Sequence, residues 1–203
     1  KLEEYGVNGP VFFIPDAIDF SLIPDPHPAP ELDVLIVGLK NPKMAKALKR
    51  RLSWHNFLRR DPIRFKVQVP PKLPTREDFL NLVNQARIVV YLPLTEAQGA
   101  EGFYLPALEG MVMEKLVICP YAVGNADFCI PGKTCLQPAY TARDIFDAIL
   151  RACRLPKAEV DALTQGGKAI TNNHQLSTER ASLIRLAEQA GEIWKHHFKT
   201  NPK

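Results

Sequence analysis

Two glutamates, Glu101 and Glu109, bracket the segment Glu-Gly-Phe-Tyr-Leu-Pro-Ala-Leu-Glu. Pro106 suits the first position of a helix, because its missing N–H would have no intrahelical partner there. The amides of Gly102, Phe103, Tyr104 and Leu105 then lie at or just before a helix N-terminus, whose unpaired N–H groups and positive dipole end favour a diphosphate. Gly102 lets the backbone approach a ligand closely. With Glu101 on the loop and Glu109 in the first helical turn, two carboxylates flank the anion site, and each can accept paired hydrogen bonds from vicinal hydroxyls. A diphosphate between two polyhydroxylated groups, the constitution of a nucleotide sugar, matches all of these features. The plainer role open to Glu109 is to complement the helix dipole.

These residues need a scaffold, and the hydrophobic pattern supplies one. Leu32 to Val37 reads as a buried strand closed by Gly38, and Pro42 to Leu58 as a helix with Met44, Leu48 and Leu52 on one face. Ile63 to Val69 alternates as a strand with one exposed face, and Pro70-Pro71 ends it. Thr75 caps a helix with an apolar stripe of Phe79, Leu82, Val83 and Ala86. Ile88 to Leu92 and Val117 to Cys119 read as buried strands, Thr134 to Leu136 as a shorter one, and Leu105, Leu108, Met111 and Val112 as the inner side of the helix begun by Pro106. A helix capped by Thr141 buries Ile145, Ala148, Ile149 and Ala152, and an amphipathic helix from Ser177 to Phe198 closes the chain.

Continuous apolar strands alternating with amphipathic helices predict an α/β fold, a doubly wound, mainly parallel, Rossmann-like sheet. Ligands of such sheets bind at the carboxyl ends of the strands, so the loops after Val37, Val69, Leu92 and Cys119 are the places to seek function. Ahead of it, Val11 to Ile14 reads as a strand, and the proline-rich run from Pro24 to Pro30 as an extended connector. The expected organisation is a crossover and connector over 1–31, a nucleotide-sugar-binding domain over 32–176, and a C-terminal helix over 177–203 packing on that domain.

Composition narrows the function classes. The chain has 203 residues, 46% of them hydrophobic, and a formal charge of +4; that suits a globular protein with anionic ligands and does not by itself indicate nucleic acid. No apolar run approaches the roughly 20 residues that span a bilayer. Cys119, Cys129, Cys135 and Cys153 show no metal-ligand spacing and read as reduced, buried thiols. Arg51, His55 and Arg59 share a helical face, read as solvated or as facing anionic lipid; Trp54 and Trp194 read as packing residues, so no aromatic platform accompanies these charges and nucleic acid is not expected. The adjacent His196 and His197 point in different directions on a helix and suggest no metal site. The chain opens with Lys1 and carries no leader before its first fold-like segment, as expected of a piece of a longer protein.

The segment from Glu101 to Met111 resembles the donor-site signature of the retaining glycosyltransferases of family 4, also called group 1, in which two glutamates are separated by seven residues. Ile14-Pro15-Asp16-Ala17-Ile18-Asp19 is similar to the segment by which family members enter their second domain. Leu35-Ile36-Val37-Gly38 matches the following strand and turn, and Val123-Gly124-Asn125 with Phe128 to Gly132 resembles the loop after the next-to-last strand. The resemblance covers roughly residues 5 to 150 and implies the carboxy-terminal, donor-binding domain of a GT-B fold.

It implies transfer of a hexosyl group from a nucleotide diphosphate sugar to a glycan or lipid-linked acceptor with retention, needing an N-terminal acceptor domain that this chain lacks, so that the isolated domain is expected to be inactive. Polysaccharide biosynthesis, a cytoplasmic location and peripheral contact with the inner membrane face belong to the same expectation. Glu109 would bind the ribose, Glu101 the sugar hydroxyls, and the amides after Glu101 the diphosphate or sugar. No cofactor and no metal are implied. Where the family commonly has a clamping Arg after the glycine turn, this chain has Leu39, with Lys43, in the next helix's first turn, or Lys40 to take the phosphate role beside Gly38. Two alternatives stand beside this reading: a non-catalytic nucleotide-sugar-binding module, and a GT-B epimerase or phosphorylase relative.

Overall fold

A computed structural model describes residues 12, 14–27, 29–57, 59–95, 99 and 102–200. Glu101, Val11 and Phe13 of the strand expected at Val11 to Ile14, and the side chains of Trp194, His196 and His197 lie outside the described residues.

The chain divides into two compact units, the larger running from Asp19 to Asn172. Its elements are β1 (Leu32–Val37), α1 (Pro42–Phe57), β2 (Phe65–Gln68), α2 (Arg76–Asn84), β3 (Ala86–Tyr91), α3 (Leu105–Val112), β4 (Leu116–Ile118), α4 (Ala142–Arg154) and α5 (Lys157–Thr171). The four strands form one parallel sheet in the order β2-β1-β3-β4. The order reverses at β1, which makes the crevice beyond the carboxyl ends of β1 and β3 the topological switch point. The α/β Rossmann-like fold predicted from the alternation of strands and helices is the fold observed.

The inner strands are dry on both faces, as a parallel sheet favours, while the edge strand β2 keeps Lys66 exposed on one face, as its alternating sequence predicts. On one face Val34, Ile36, Ile88, Val90 and Ile118 meet Ala45, Leu48 and Leu52 of α1 and Ile145, Ile149 and Ala152 of α4. Leu35, Val89, Tyr91 and Val117, pointing the other way by the two-residue strand period, are equally buried. Gly38 is required where β1 ends: a Cβ there would stand 2.2 Å from the Ala45 Cβ, so α1 crosses directly over the turn. Asn41 caps α1 by accepting the Met44 amide at 3.1 Å.

The smaller unit comprises the chain up to Ile18 and from Asn173 onward. Buried Ile18 donates its amide to the His174 carbonyl at 2.9 Å and bridges to Gln175, after which α6 (Leu176–Thr200) follows.

Several expectations are corrected. The stripe of α2 is Leu80, Leu82 and Val83; Ala86 already belongs to β3, and Phe79 is only half-buried. Thr134 to Leu136 contributes isolated bridges, at Leu136 beside β4 and at Cys135, instead of a strand. Trp54 does not pack in the interior: it is 68% exposed and stacks on Phe57, itself 80% exposed, at 6.1 Å. An aromatic pair therefore does accompany the arginines of α1. Of the four free cysteines, three are buried and Cys153 is half-buried. α5 is an added element, hidden in the sequence by Gly166 and Gly167. Those glycines admit the neighbouring loop, since a Cβ at Gly166 would lie 2.1 Å from the Lys133 carbonyl oxygen.

Glycine in a helix ordinarily costs about 1 kcal/mol relative to alanine, which makes α5 and α6 a controlled comparison. Gly191→Ala, whose Cβ meets nothing within 4 Å, is expected to raise stability by up to about 1 kcal/mol. Gly166→Ala is expected to lower it by about 1–3 kcal/mol through overpacking. Urea titrations of the two variants check both signs.

Candidate nucleotide-binding site

The switch-point crevice holds a cavity of about 480 Å³, within the range of small-molecule sites. Three segments form it: Val37 at the end of β1 with Leu39 and Lys40 after it; Lys72 to Thr75 before α2 with Arg76 and Phe79 in its first turns; and Phe103 to Pro106 with Glu109 around the start of α3.

Each segment is set by a local device. Buried Gln68, at the end of β2, donates its amide nitrogen to the Val69 and Pro71 carbonyls at 3.1 and 3.0 Å, bracing the turn that presents Lys72. Thr75 and Asp78 form a reciprocal capping box: the Thr75 hydroxyl accepts the Asp78 amide at 3.0 Å and the Asp78 carboxylate accepts the Thr75 amide at 3.1 Å. That box makes Arg76 the first residue of α2. A cation there opposes the helix dipole, and its guanidinium turns to Glu109, with which it forms a hydrogen-bonded ion pair.

Glu109 has a side chain only 2% exposed, whereas that of Arg76 is 50% exposed. Burial pushes the Glu109 carboxyl above the ordinary carboxylate range, and the Arg76 charge and hydrogen bond pull in the opposite direction. Beneath it, Tyr91 packs edge-on against Tyr104 at 6.0 Å, and its fully buried hydroxyl has no hydrogen-bond partner among the described residues. A Cβ at Gly110 would meet that hydroxyl at 2.6 Å, so the glycine lets α3 settle onto β3.

The sequence-derived residues distribute unevenly. Lys40, Phe103, Tyr104, Leu105 and Glu109 meet in the cavity wall. Gly38 lies under the turn as a packing glycine, and Gly102 is exposed, with open space for 4 Å around the place where a Cβ would stand. Lys43 is exposed in the first turn of α1 and is not among the residues lining the cavity. α3 begins at Leu105, which puts Pro106 second and Glu109 in the second turn, not the first. The Tyr104 amide donates to the Gly124 carbonyl at 2.7 Å, so it is engaged by the loop after β4 and does not face a ligand. Among the described residues no cluster of His, Cys, Asp and Glu has the makings of a metal site.

The structure adds Arg76, Lys72 and Phe79 to the wall, together with Leu39, the residue standing where the resembled family commonly has an arginine. The sequence does carry a signal for Arg76: a capped helix starting just after a strand's carboxyl end, with a basic residue at its disfavoured end.

No family model and no curated protein matches the chain. Solved structures do resemble it. A sucrose-phosphate synthase from Thermosynechococcus elongatus superposes with a TM-score of 0.59 and 16% identity over 93% of this chain and 53% of that one. The C-terminal domain of a glycosyl transferase group 1 family protein from Francisella tularensis gives 0.53 and 16% over 79% of this chain and 100% of that one. An α,α-trehalose-phosphate synthase (UDP-forming) from Burkholderia vietnamiensis gives 0.62 and 13% over 79% and 45%. The shared feature is the fold, a Rossmann-like α/β domain. The chain spans about half the length of the sucrose-phosphate synthase.

The buried carboxylate has a testable signature. A folded-state pKa above the ordinary value means that the native protein holds this proton more tightly than the unfolded chain, so ionisation of Glu109 lowers stability as pH rises through that window. Glu109→Gln is expected to match or exceed the wild-type melting temperature at neutral pH. The difference should shrink as pH falls toward the ordinary carboxylate value of 4.5. Scanning calorimetry of both proteins across that range is the check.

Proposed function

We propose that this chain is the nucleotide-sugar-binding domain of a glycosyltransferase, and that it uses the cavity at the carboxyl ends of β1, β2 and β3 for the nucleotide diphosphate. The observation that carries the reading is Glu109. It is a carboxylate kept in a cavity wall against its own desolvation cost, on the helix and at the spacing expected of a ribose-binding glutamate, in a fold shared with solved glycosyltransferases. A purely structural residue would be replaced there by an apolar one at no loss, since burying a charge disfavours the folded state.

In this reading Glu109 accepts the ribose hydroxyls through oxygen lone pairs that Arg76 leaves open. Lys40, Lys72 and the half-exposed Arg76 supply the positive charge that a diphosphate requires. Phe79 and Leu39 give the base or ribose an apolar wall. Glu101 is proposed to take hydroxyls of the donor sugar, and Lys43 is proposed as a further phosphate contact. The hexosyl transfer with retention, the glycan or lipid-linked acceptor and a preceding acceptor domain are proposals on the same footing, and no metal or cofactor is invoked.

Leu39 favours a second reading, a binding module without catalysis, because it places an aliphatic side chain in the cavity wall where the resembled family commonly carries a clamping arginine.

Isothermal titration with uridine, guanosine and adenosine diphosphates tests the shared core of both readings. One of the three should bind, and Glu109→Ala should weaken it by about 2 kcal/mol, roughly thirtyfold, the value of charge-assisted hydrogen bonds. Arg76→Ala should weaken the diphosphate more than the matching nucleoside. Absence of binding by all three sinks the proposal. Transfer or hydrolysis assays after adding a preceding acceptor domain, with Glu101→Ala as control, separate enzyme from binder.

A further inference from the structure

The end of α1 farthest from the cavity carries a feature that nucleotide binding does not use. α1 begins at the carboxyl edge of the sheet and runs 16 residues, about 24 Å at 1.5 Å per residue, to the opposite edge. There Trp54 and Phe57 stack with their planes at 25° and stand 68% and 80% exposed. Arg50 and Arg51 lie one turn before Trp54, Arg59 follows the helix, and together they border a hollow of about 930 Å³ floored by Phe146 of α4. His55 packs edge-on against that Phe146 ring at 5.8 Å.

Two further observations identify the occupant. The whole of α1 contains Lys43, Lys46, Lys49, Arg50 and Arg51 and not one acidic residue, whereas an ordinary solvated helix intersperses both signs. Among the described residues, none of Arg50, Arg51 and Arg59 forms an ion pair with a carboxylate. Cations left unmatched beside protruding aromatic rings are the complement of an anionic, partly apolar surface.

We propose that this aromatic and basic tip, centred on Trp54 and Phe57 and flanked by Arg50, Arg51 and Arg59, docks the protein on an anionic lipid surface. The rings enter the boundary between headgroups and acyl chains, while the arginine stems lie along it with their guanidinium groups on the phosphates. Single-stranded nucleic acid fits the tip less well. The two rings stack on one another, leaving one outer face each and no succession of platforms along a groove. No helix among the described residues is long and apolar enough to cross a membrane, so the contact is peripheral.

Flotation of the 203-residue chain with phosphatidylcholine vesicles, with and without phosphatidylserine, tests the proposal. Binding is expected only with phosphatidylserine, with a blue shift of tryptophan emission that Trp54→Phe removes while Trp194 remains as an internal control. The double variant Trp54→Ala/Phe57→Ala should lower the partition coefficient at least tenfold. Arg50→Glu/Arg51→Glu should lower it by about fivefold or more per position. Both double variants should retain the wild-type circular dichroism melt, since the altered side chains are exposed. Equal binding to neutral and anionic vesicles, no binding to either, or binding untouched by both double variants overturns the proposal. Tighter binding of an oligonucleotide that competes with vesicles and is lost in the same variants overturns it in favour of a nucleic-acid surface.

Discussion

The cavity is organised around one ion pair whose two members are each placed against electrostatic preference. Burial drives Glu109 toward its neutral form, and the first position of α2 repels the Arg76 cation. Each offsets part of the other's cost, and their meeting draws the start of α2 and the second turn of α3 to opposite sides of one space. Half of the Arg76 side chain remains in solvent, so the pair contributes little to stability in itself. Its effect is positional: it holds a carboxylate ionisable at the wall of a cavity where packing alone would favour an apolar residue.

The pair depends in turn on the sheet. Because all four strands run parallel, every crossover helix starts at the carboxyl edge, which brings the N-termini of α1, α2 and α3 to one side. Two glycines set how tightly they gather there. Gly38 lets α1 cross the end of β1 at a distance no side chain would permit, and Gly110 lets α3 close over the Tyr91 hydroxyl. The Tyr104 amide bonded to Gly124 adds the loop after β4 to the same assembly.

Much of this is legible in the chain itself. Strand and helix periods, the Thr75 and Thr141 caps and the turn at Gly38 locate most of the sheet and its helices within a few residues, because burial on both faces writes long apolar runs and capping writes polar residues at fixed offsets. The remainder depends on tertiary contacts that leave weak local marks. α5 is one case, since Gly166 and Gly167 argue against a helix until the Lys133 carbonyl is seen where their side chains would be. Arg76 is another, because 33 residues separate it from Glu109 and no local pattern joins them. Trp54 misleads for the opposite reason: an aromatic in an amphipathic helix normally faces inward, yet Ala45, Leu48 and Leu52 already fill the inner face of α1.

That outward Trp54 sets the two ends of α1 apart. The helix starts just after the loop whose Leu39 and Lys40 line the cavity, and its last turn carries the aromatic tip, with the packed core of the sheet between. The carboxyl edge presents unpaired amide donors, because the helices start there, and its loops can therefore meet an anion. At the opposite edge the last turn of α1 leaves carbonyls and no amide donors, so the basic and aromatic side chains of the tip carry the proposed contact with an anionic surface. A lipid surface seated on the tip meets the end of α1 opposite the loop that lines the cavity, a helix length of about 24 Å apart, so the two contacts do not exclude each other. They also do not share residues, and each can therefore be lost by substitution without the other.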